Sequence, residues 1–265
     1  MSKITVPEII KSKGERKLSM VTAYDFAMAS FADGCEMDMI LVGDSLAMTV
    51  LGHEDTLSVT MEEMLHHTRA VTRGVNRSLV VADMPFMSYH TSVDQAVSNA
   101  GRMLKEARAG AVKVEGADNV LPQIEAMNKA GIPVMGHLGL TPQSIAQMGG
   151  YKVQGRGEAG DKIVQEARKL EAAGCFSLVL EAVPPGLAAR ITQELSIPSI
   201  GIGAGPDCDG QVLVINDLLG LSTGHAPRFV KKYADLASVI TEALHRYRSE
   251  VQAGEFPEAK HCYKD

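Results

Sequence analysis

The chain has 265 residues, 45% hydrophobic and 22% charged, with a net charge of −6. This is an ordinary globular balance, which excludes disordered and fibrous classes. The acidic balance, with no basic stripe, argues against nucleic acid as the main partner. The four cysteines, Cys35, Cys175, Cys208 and Cys262, stand isolated, so neither a disulfide framework nor a structural zinc site is expected.

Met1 to Lys13 lacks the apolar core of a signal peptide, and no apolar run approaches the length of a membrane span. A soluble cytoplasmic protein is expected. A short helix is predicted from Thr5, a candidate N-cap, to Ser12, ending at Gly14. A rhythm of apolar runs and helical stretches then begins. The first run is Leu18–Tyr24, followed by a helix capped by Asp25 and reaching Asp33. The second is Met39–Ser45. The next helix spans about Thr60 to Arg73, with Thr60 and Glu63 spaced as a capping box. Ser78–Asp83 is the third run, with a helix from about Ser92 to Ala109. Val112–Glu115 is the fourth, followed by a helix over Asn119–Lys129. Ile132–His137 is the fifth.

From His137 to about Arg156 the sequence is rich in Gly, Gln, Ser and Thr, and interrupts the rhythm. Loops of that length in compact domains are usually either functional or disordered. A helix over Glu158–Ala173, the run Phe176–Glu181, a short helix over Gly186–Leu195 and the run Ile197–Gly203 follow. Gln211–Leu218 is the eighth and least regular run. A long amphipathic helix is predicted from about Lys231 to Ala253, ending at Gly254, before a polar tail.

Eight short apolar runs with helices between most of them indicate parallel strands buried on both faces. The predicted fold is a single (β/α)₈ barrel domain over residues 1–265, with a short N-terminal helix and a C-terminal helical extension. An open doubly wound sheet is the structural alternative.

In such barrels the active site lies at the C-terminal strand ends. Asp44 ends the second run, Asp83 the third, Glu115 the fourth, His137 the fifth and Glu181 the sixth. The period of two puts Asp44 on the side of Val42, Asp83 on that of Val81 and Glu181 on that of Val179, all read as barrel-facing. Lys113 and Glu115 likewise share a side, opposite Val112 and Val114. Three carboxylates on neighbouring strands repel one another unless neutralised. With oxygen ligands and no cysteine, a hard cation such as Mg²⁺ or Mn²⁺ suits them better than Zn²⁺. Asp44 or Asp83 alone reads equally well as a turn or helix cap. Lys113 is either an ion-pair partner of Glu115 or a ligand for an anionic substrate group. His137 is either a loop hydrogen bonder or a site residue, and Glu181 either a base or a salt-bridge partner. Gly201-Ile202-Gly203-Ala204-Gly205 lacks the Lys-Ser/Thr of a phosphate loop and reads as close backbone approach at the barrel mouth.

Several blocks together resemble the ketopantoate hydroxymethyltransferase family. They are Val42-Gly43-Asp44-Ser45, Ala82-Asp83-Met84-Pro85-Phe86, Val112-Lys113-Val114-Glu115-Gly116, the run from Gly136 to Gln143, the run from Gly149 to Arg156, and Gly201 to Gly205. The resemblance extends from about Thr22 to Lys232, with Ala47 standing where a glycine is expected. It implies a barrel of the phosphoenolpyruvate/pyruvate type. It implies transfer of a hydroxymethyl group from 5,10-methylenetetrahydrofolate to 3-methyl-2-oxobutanoate, giving 2-dehydropantoate on the way to pantothenate. By motif match, Asp44, Asp83 and Glu115 would form a Mg²⁺ site, directly or through water. Asp44, Ser45, Asp83 and Lys113 would contact the oxo acid, and Glu181 would accept the proton. A homo-oligomer, commonly a decamer, is also implied. A carbon–carbon lyase on a related barrel is the enzymatic alternative, although the 138–156 loop holds no cysteine of the kind an isocitrate-type lyase needs. A barrel that senses oxo acids without turning them over is the non-enzymatic one.

Overall fold

The computed structural model describes residues 2–150, 152–222 and 227–264. The chain divides into two compact units, Met1–Val214 and Ile215–Asp265. The first contains a closed barrel of eight parallel strands in sequence order: β1 (Leu18–Thr22), β2 (Met39–Val42), β3 (Leu79–Asp83), β4 (Ala111–Glu115), β5 (Val134–Gly139), β6 (Ser177–Glu181), β7 (Ser199–Ile202) and β8 (Gly210–Leu213). β1 closes against β8 with Leu18 beside Gly210 and Val21 beside Leu213.

The helices of this unit are α1 (Val6–Lys11), α2 (Phe26–Gly34), α3 (Leu46–Thr49), α4 (Met61–Gly74), α5 (Val93–Lys105), α6 (Leu121–Lys129), α7 (Ile145–Met148), α8 (Ala159–Ala172) and α9 (Pro185–Glu194). Local chemistry sets several of their starts. The Asp25 carboxylate accepts the Met28 N–H at 2.8 Å and begins α2. Thr60 and Glu63 form the predicted capping box of α4, with the Thr60 N–H donating to Glu63 at 2.8 Å and the Glu63 N–H donating to the Thr60 hydroxyl at 3.2 Å.

The barrel interior follows strand parity. Leu18 and Met20, Met39 and Leu41, Leu79 and Val81, Ala111, Met135, Val179, Ile200 and Ile202, and Val212 form one buried cluster. Ile4 and Ile9 join it, so the N-terminal segment with α1 closes the floor. The same parity turns Asp83, Lys113, Glu115, His137 and Glu181 inward at the opposite end.

β2 corrects one expectation. Its interior residues are Met39 and Leu41, so Val42 does not face the barrel. Asp44 reaches the interior because the strand ends at Val42, three residues before the predicted end of the run at Ser45, and the chain turns toward α3. Ala47 sits buried inside that helical turn, a place where alanine needs no special backbone. The eighth run is likewise split. β8 stops at Leu213, and Ile215–Leu218 forms a helical turn, α10, closed by the Leu219 N–H donating to the Ile215 carbonyl at 2.9 Å.

The long segment after β5 is more ordered than its composition suggests. A 3₁₀ turn at Pro142–Ser144 leads into α7, which stops where Gly149 takes a left-handed φ of 68°. Farther on, the Gln154 N–H donates to the Ala182 carbonyl at 2.9 Å and pins the segment to the end of β6. Tyr151, in the Gly149–Arg156 block, lies outside the described residues.

The second unit holds α10 and α11 (Leu236–Ala253), which begins five residues later than predicted. No residue of α11 is buried, and Ile240, Leu244, Tyr247 and Val251 stand exposed at helical spacing. No described helix is long and apolar enough to cross a membrane.

Candidate active site

Strand order places the predicted charged residues around one end of the barrel. Asp83 on β3 is in register with Lys113 on β4, Glu115 with His137 on β5, and Gly139 with Glu181 on β6. Asp44, Asp83, Lys113, Glu115 and His137 are all buried. The Glu181 side chain keeps 17% of its surface exposed, which leaves it open toward the mouth.

Lys113 is not simply the partner of Glu115. Its ammonium lies 3.0 Å from Asp83 Oδ1 and 3.1 Å from His137 Nδ1, but 3.8 Å from Glu115 Oε1. Asp83 Oδ2 accepts the Asp44 N–H at 3.0 Å, which fixes the turn after β2. Asp83 Oδ1 has no hydrogen bond of good geometry despite its depth. Both oxygens of Glu115 are engaged: Oε1 lies 3.1 Å from His137 Nδ1, and Oε2 accepts the Gln143 N–H at 3.0 Å. His137 Nε2 lies 3.2 Å from Glu181 Oε2. The imidazole thus spans the two carboxylates. The Ser45 hydroxyl sits 2.9 Å from the Tyr24 hydroxyl. Gly43 keeps this corner open, since a Cβ there would stand 2.7 Å from Ser45 Oγ.

The electrostatics match a crowded acidic pocket. Burial, then the charges of Asp83 and Glu115, push the Asp44 carboxyl well above the usual range. Burial also raises Asp83, against the opposing pull of Lys113. Burial works against ionised Glu115, yet His137 and Lys113 outweigh it and hold this carboxyl below its ordinary value. Burial opposes the charge on Lys113 too, and Asp83, Glu115 and Asp44 more than compensate, so its ammonium is held more firmly than usual. For His137, burial and Lys113 favour the neutral ring, but the Glu115 carboxylate, and the Glu181 carboxylate 3.2 Å from Nε2, raise it to about 9.

Among the described residues, no three Asp, Glu, His or Cys side chains stand grouped tightly enough to grip an ion as they lie. Lys113, His137 and Gln143 are the donors standing between the carboxylates. Sequence reasoning identified Asp44, Ser45, Asp83, Lys113, Glu115 and Glu181, and the barrel brings them to one end. It left His137 undecided and missed Tyr24, Tyr89 and Gln143. The Gln143 amide donates to Asp44 Oδ2 and to the Met84 carbonyl, each at 2.9 Å, and the Tyr89 hydroxyl donates to its oxygen at 2.8 Å. The one available signal was the position of Thr141-Pro142-Gln143, a turn immediately after a strand that ends in site residues.

The sequence profile of the family described as ketopantoate hydroxymethyltransferase matches residues 3–259. The 3-methyl-2-oxobutanoate hydroxymethyltransferase of Syntrophobacter fumaroxidans is 61% identical over 261 residues, covering 98% of this chain and 93% of that protein. The enzyme of the same name from Pelobacter propionicus is 56% identical over 262 residues, covering 98% of this chain and 97% of that one. Among solved structures, 2,3-dimethylmalate lyase, a PEP mutase/isocitrate lyase superfamily member, superposes with a TM-score of 0.63 at 14% identity, covering 96% of this chain and 89% of that one. Phosphonopyruvate hydrolase, solved with oxalate and Mg²⁺, gives 0.63 at 12% identity over 100% of this chain and 92% of its own. These distant likenesses show the fold, a barrel shared with that superfamily. The full-length match and the high identities show the family: this chain belongs to the ketopantoate hydroxymethyltransferases.

Proposed function

We propose that the chain transfers a hydroxymethyl group from 5,10-methylenetetrahydrofolate to 3-methyl-2-oxobutanoate, forming 2-dehydropantoate for pantothenate synthesis. The observation that carries this reading is the buried set of Asp44, Asp83, Glu115 and Lys113 with the half-open Glu181 across from it. Such a set suits an oxo acid whose C3 proton must be removed.

The residues fit a hard divalent cation. Asp83 Oδ1 is buried without a well-made hydrogen bond, and the burial and then the repulsion from Asp83 and Glu115 that raise Asp44 are what a bound cation offsets. Asp44 and Asp83 would hold Mg²⁺ directly. Glu115, with both oxygens already engaged by His137 and Gln143, would act through water. When bound, Mg²⁺ supplies Lewis-acid polarisation of a 2-oxo acid's oxygens.

The chain's own side chains do the rest. Lys113 sets a permanent positive charge against the substrate's developing anion. Ser45, steadied by Tyr24, offers a hydroxyl to the oxo acid. Glu181 takes the C3 proton, with His137 3.2 Å behind it to hold the carboxylate in place. General-base help of this kind contributes ~10²–10⁴-fold, so positioning and charge stabilisation carry the larger share. The resulting carbanion forms a C–C bond to the one-carbon unit of the folate. One water supplies the hydroxyl oxygen, both C–N bonds of the methylene break, tetrahydrofolate leaves, and the C3 proton ends on the new hydroxyl. The exposed apolar stripe on α11 supports a homo-oligomer, a decamer by family resemblance, which light scattering of the purified chain tests.

The decisive assay is folate-dependent formation of 2-dehydropantoate with and without EDTA. Folded, Mg²⁺-loaded protein that forms none from both substrates sinks the assignment. Glu181→Gln should retain oxo-acid binding while deuterium exchange at C3 of 3-methyl-2-oxobutanoate stops. Exchange at the wild-type rate removes Glu181 from the role of base.

A further inference from the structure

Gln143 is a buried residue whose side-chain amide and peptide N–H are all in use. Its Nε2 donates to Asp44 Oδ2 and the Met84 carbonyl, its Oε1 accepts from Tyr89, and its peptide N–H donates to Glu115 Oε2. One residue therefore touches carboxylates that come from the ends of two different strands, β2 and β4. Its backbone is fixed by the 3₁₀ turn at Pro142–Ser144, within which the Ser144 N–H donates to the Thr141 carbonyl at 2.9 Å.

The face the amide presents is determined chemically. Asp44 Oδ2 and the Met84 carbonyl are both acceptors, so only the NH₂ end can point at them. Tyr89 enforces that choice. Its hydroxyl accepts the Glu115 N–H at 3.1 Å, and its own proton goes to Gln143 Oε1 at 2.8 Å, since the Glu115 carbonyl is farther, at 3.5 Å. A turned amide would set oxygen against a carboxylate and a carbonyl, and leave the tyrosine proton facing an NH₂ group.

We propose that Gln143, with its amide orientation locked by Tyr89, is a positioning residue that aims the Asp44 and Glu115 carboxylates for a divalent cation. The inference rests on the reading of Asp44, Asp83 and Glu115 as a cation site. The two carboxylates are aimed by different parts of the residue, Asp44 by the side chain and Glu115 by the peptide N–H. Removal of the side chain alone should disturb the first and spare the second. Partners of this kind around metal ligands typically change affinity by roughly 10–100-fold when removed.

The test is Mn²⁺ binding to the full-length protein, followed by electron paramagnetic resonance without substrate. Gln143→Met keeps the length of the side chain and deletes both polar ends. Tyr89→Phe keeps the buried ring and deletes only the hydroxyl. Asp44→Asn serves as the reference for loss of a ligand. Gln143→Met is expected to weaken Mn²⁺ by roughly 10–100-fold, and Tyr89→Phe by a smaller factor in the same direction. The double variant should bind no more weakly than Gln143→Met, because Tyr89 acts through Gln143. A purely structural role would show in the unfolding midpoint and leave Mn²⁺ affinity in place. If Asp44→Asn abolishes binding while Gln143→Met and Tyr89→Phe bind as wild type, the positioning role is overturned and the cation site stands. Additive losses in the double variant overturn the relay from Tyr89. A wild-type chain that binds no Mn²⁺ overturns the cation site itself, and with it this role.

Discussion

Replacing Lys113 with methionine removes the positive charge at the centre of the site and keeps most of the volume. Asp83 and Glu115, 3.0 and 3.8 Å from the ammonium, then face each other and Asp44 without it. Deleting one member of a buried ion pair costs about 3–5 kcal/mol, because a charge is left unpaired in a poorly solvated place. Two carboxylates share this lysine, which sets the expectation toward the upper part of that range. At about 2–4 °C per kcal/mol for a chain of this size, the melting temperature should fall by roughly 10 °C or more. The loss should depend on pH. Lys113 is held above its ordinary value, so its contribution is full below the ordinary lysine pKa and is lost only as pH rises through the higher folded value. In the variant, the orphaned carboxylates relieve their repulsion by taking up protons, so the deficit should shrink between roughly pH 8 and roughly pH 5. Saturating Mg²⁺ should stabilise Lys113→Met more than wild type, since the ion would supply the missing positive charge. The assay is thermal unfolding across that pH range, with and without Mg²⁺. An unchanged midpoint at neutral pH, or a deficit of the same size in acid, refutes the picture of a lysine that neutralises the carboxylate cluster.

Asp83→Ala should weaken Mg²⁺-dependent oxo-acid binding at least 10-fold, and calorimetric titrations that match wild type would take Asp83 out of the site. Gly43→Ala would put a methyl group 2.7 Å from Ser45 Oγ. It should raise the KM for the oxo acid with little change in kcat, and an unaltered KM would show that Ser45 does not touch substrate. Asp33 accepts the N–H groups of Asn76, Arg77 and Ser78 at 2.9, 3.1 and 2.8 Å, which anchors the entry to β3. Asp33→Ala should cost about 1.5–3 kcal/mol in urea unfolding at neutral pH. Burial opposes ionised Asp33, but these bonds outweigh it and depress its carboxyl, so the contribution is complete above the ordinary Asp pKa and lost as pH falls through the lower folded value. An equal penalty well below that value would refute it.

The barrel was readable because its strands are buried on both faces, so each appears as an unbroken apolar run between helical stretches. That same property hid the end of β2. Met39–Ser45 reads as one run although the strand stops at Val42, and no periodicity marks where a short buried strand gives way to a turn. The parity of Val42 was misread for that reason, and Asp44 reached the pocket through a turn instead. Lys113 and Glu115 were legible as a pair of charges on a valine strand, where burial demands a partner. Their actual partners were not, since Asp83 and His137 come from neighbouring strands and only the register decides which of them meets the ammonium. Gln143 escaped because an uncharged polar residue in a segment rich in Gly, Ser and Thr looks solvated. Its burial depends on the barrel mouth and has no mark in the local sequence.

The seam between β1 and β8 bears on how the chain reaches this structure. The Leu18 N–H donates to the Asp209 carbonyl at 2.8 Å, and Lys13 Nζ lies 2.7 Å from Asp209 Oδ2, whose oxygen also accepts the Ser199 N–H at 2.9 Å. Every one of these links waits for the last strand. During synthesis the first seven strands emerge as an open sheet, with β1 presenting an unpaired edge to any other chain nearby. Closure then joins segments nearly the whole barrel apart in sequence, a contact order that makes the final step slow. Asp209 is thus the latch of the cylinder as well as a buried anion. Weakening it should leave more chains caught with the edge exposed, and aggregation during refolding should rise before any loss is detectable in the finished enzyme.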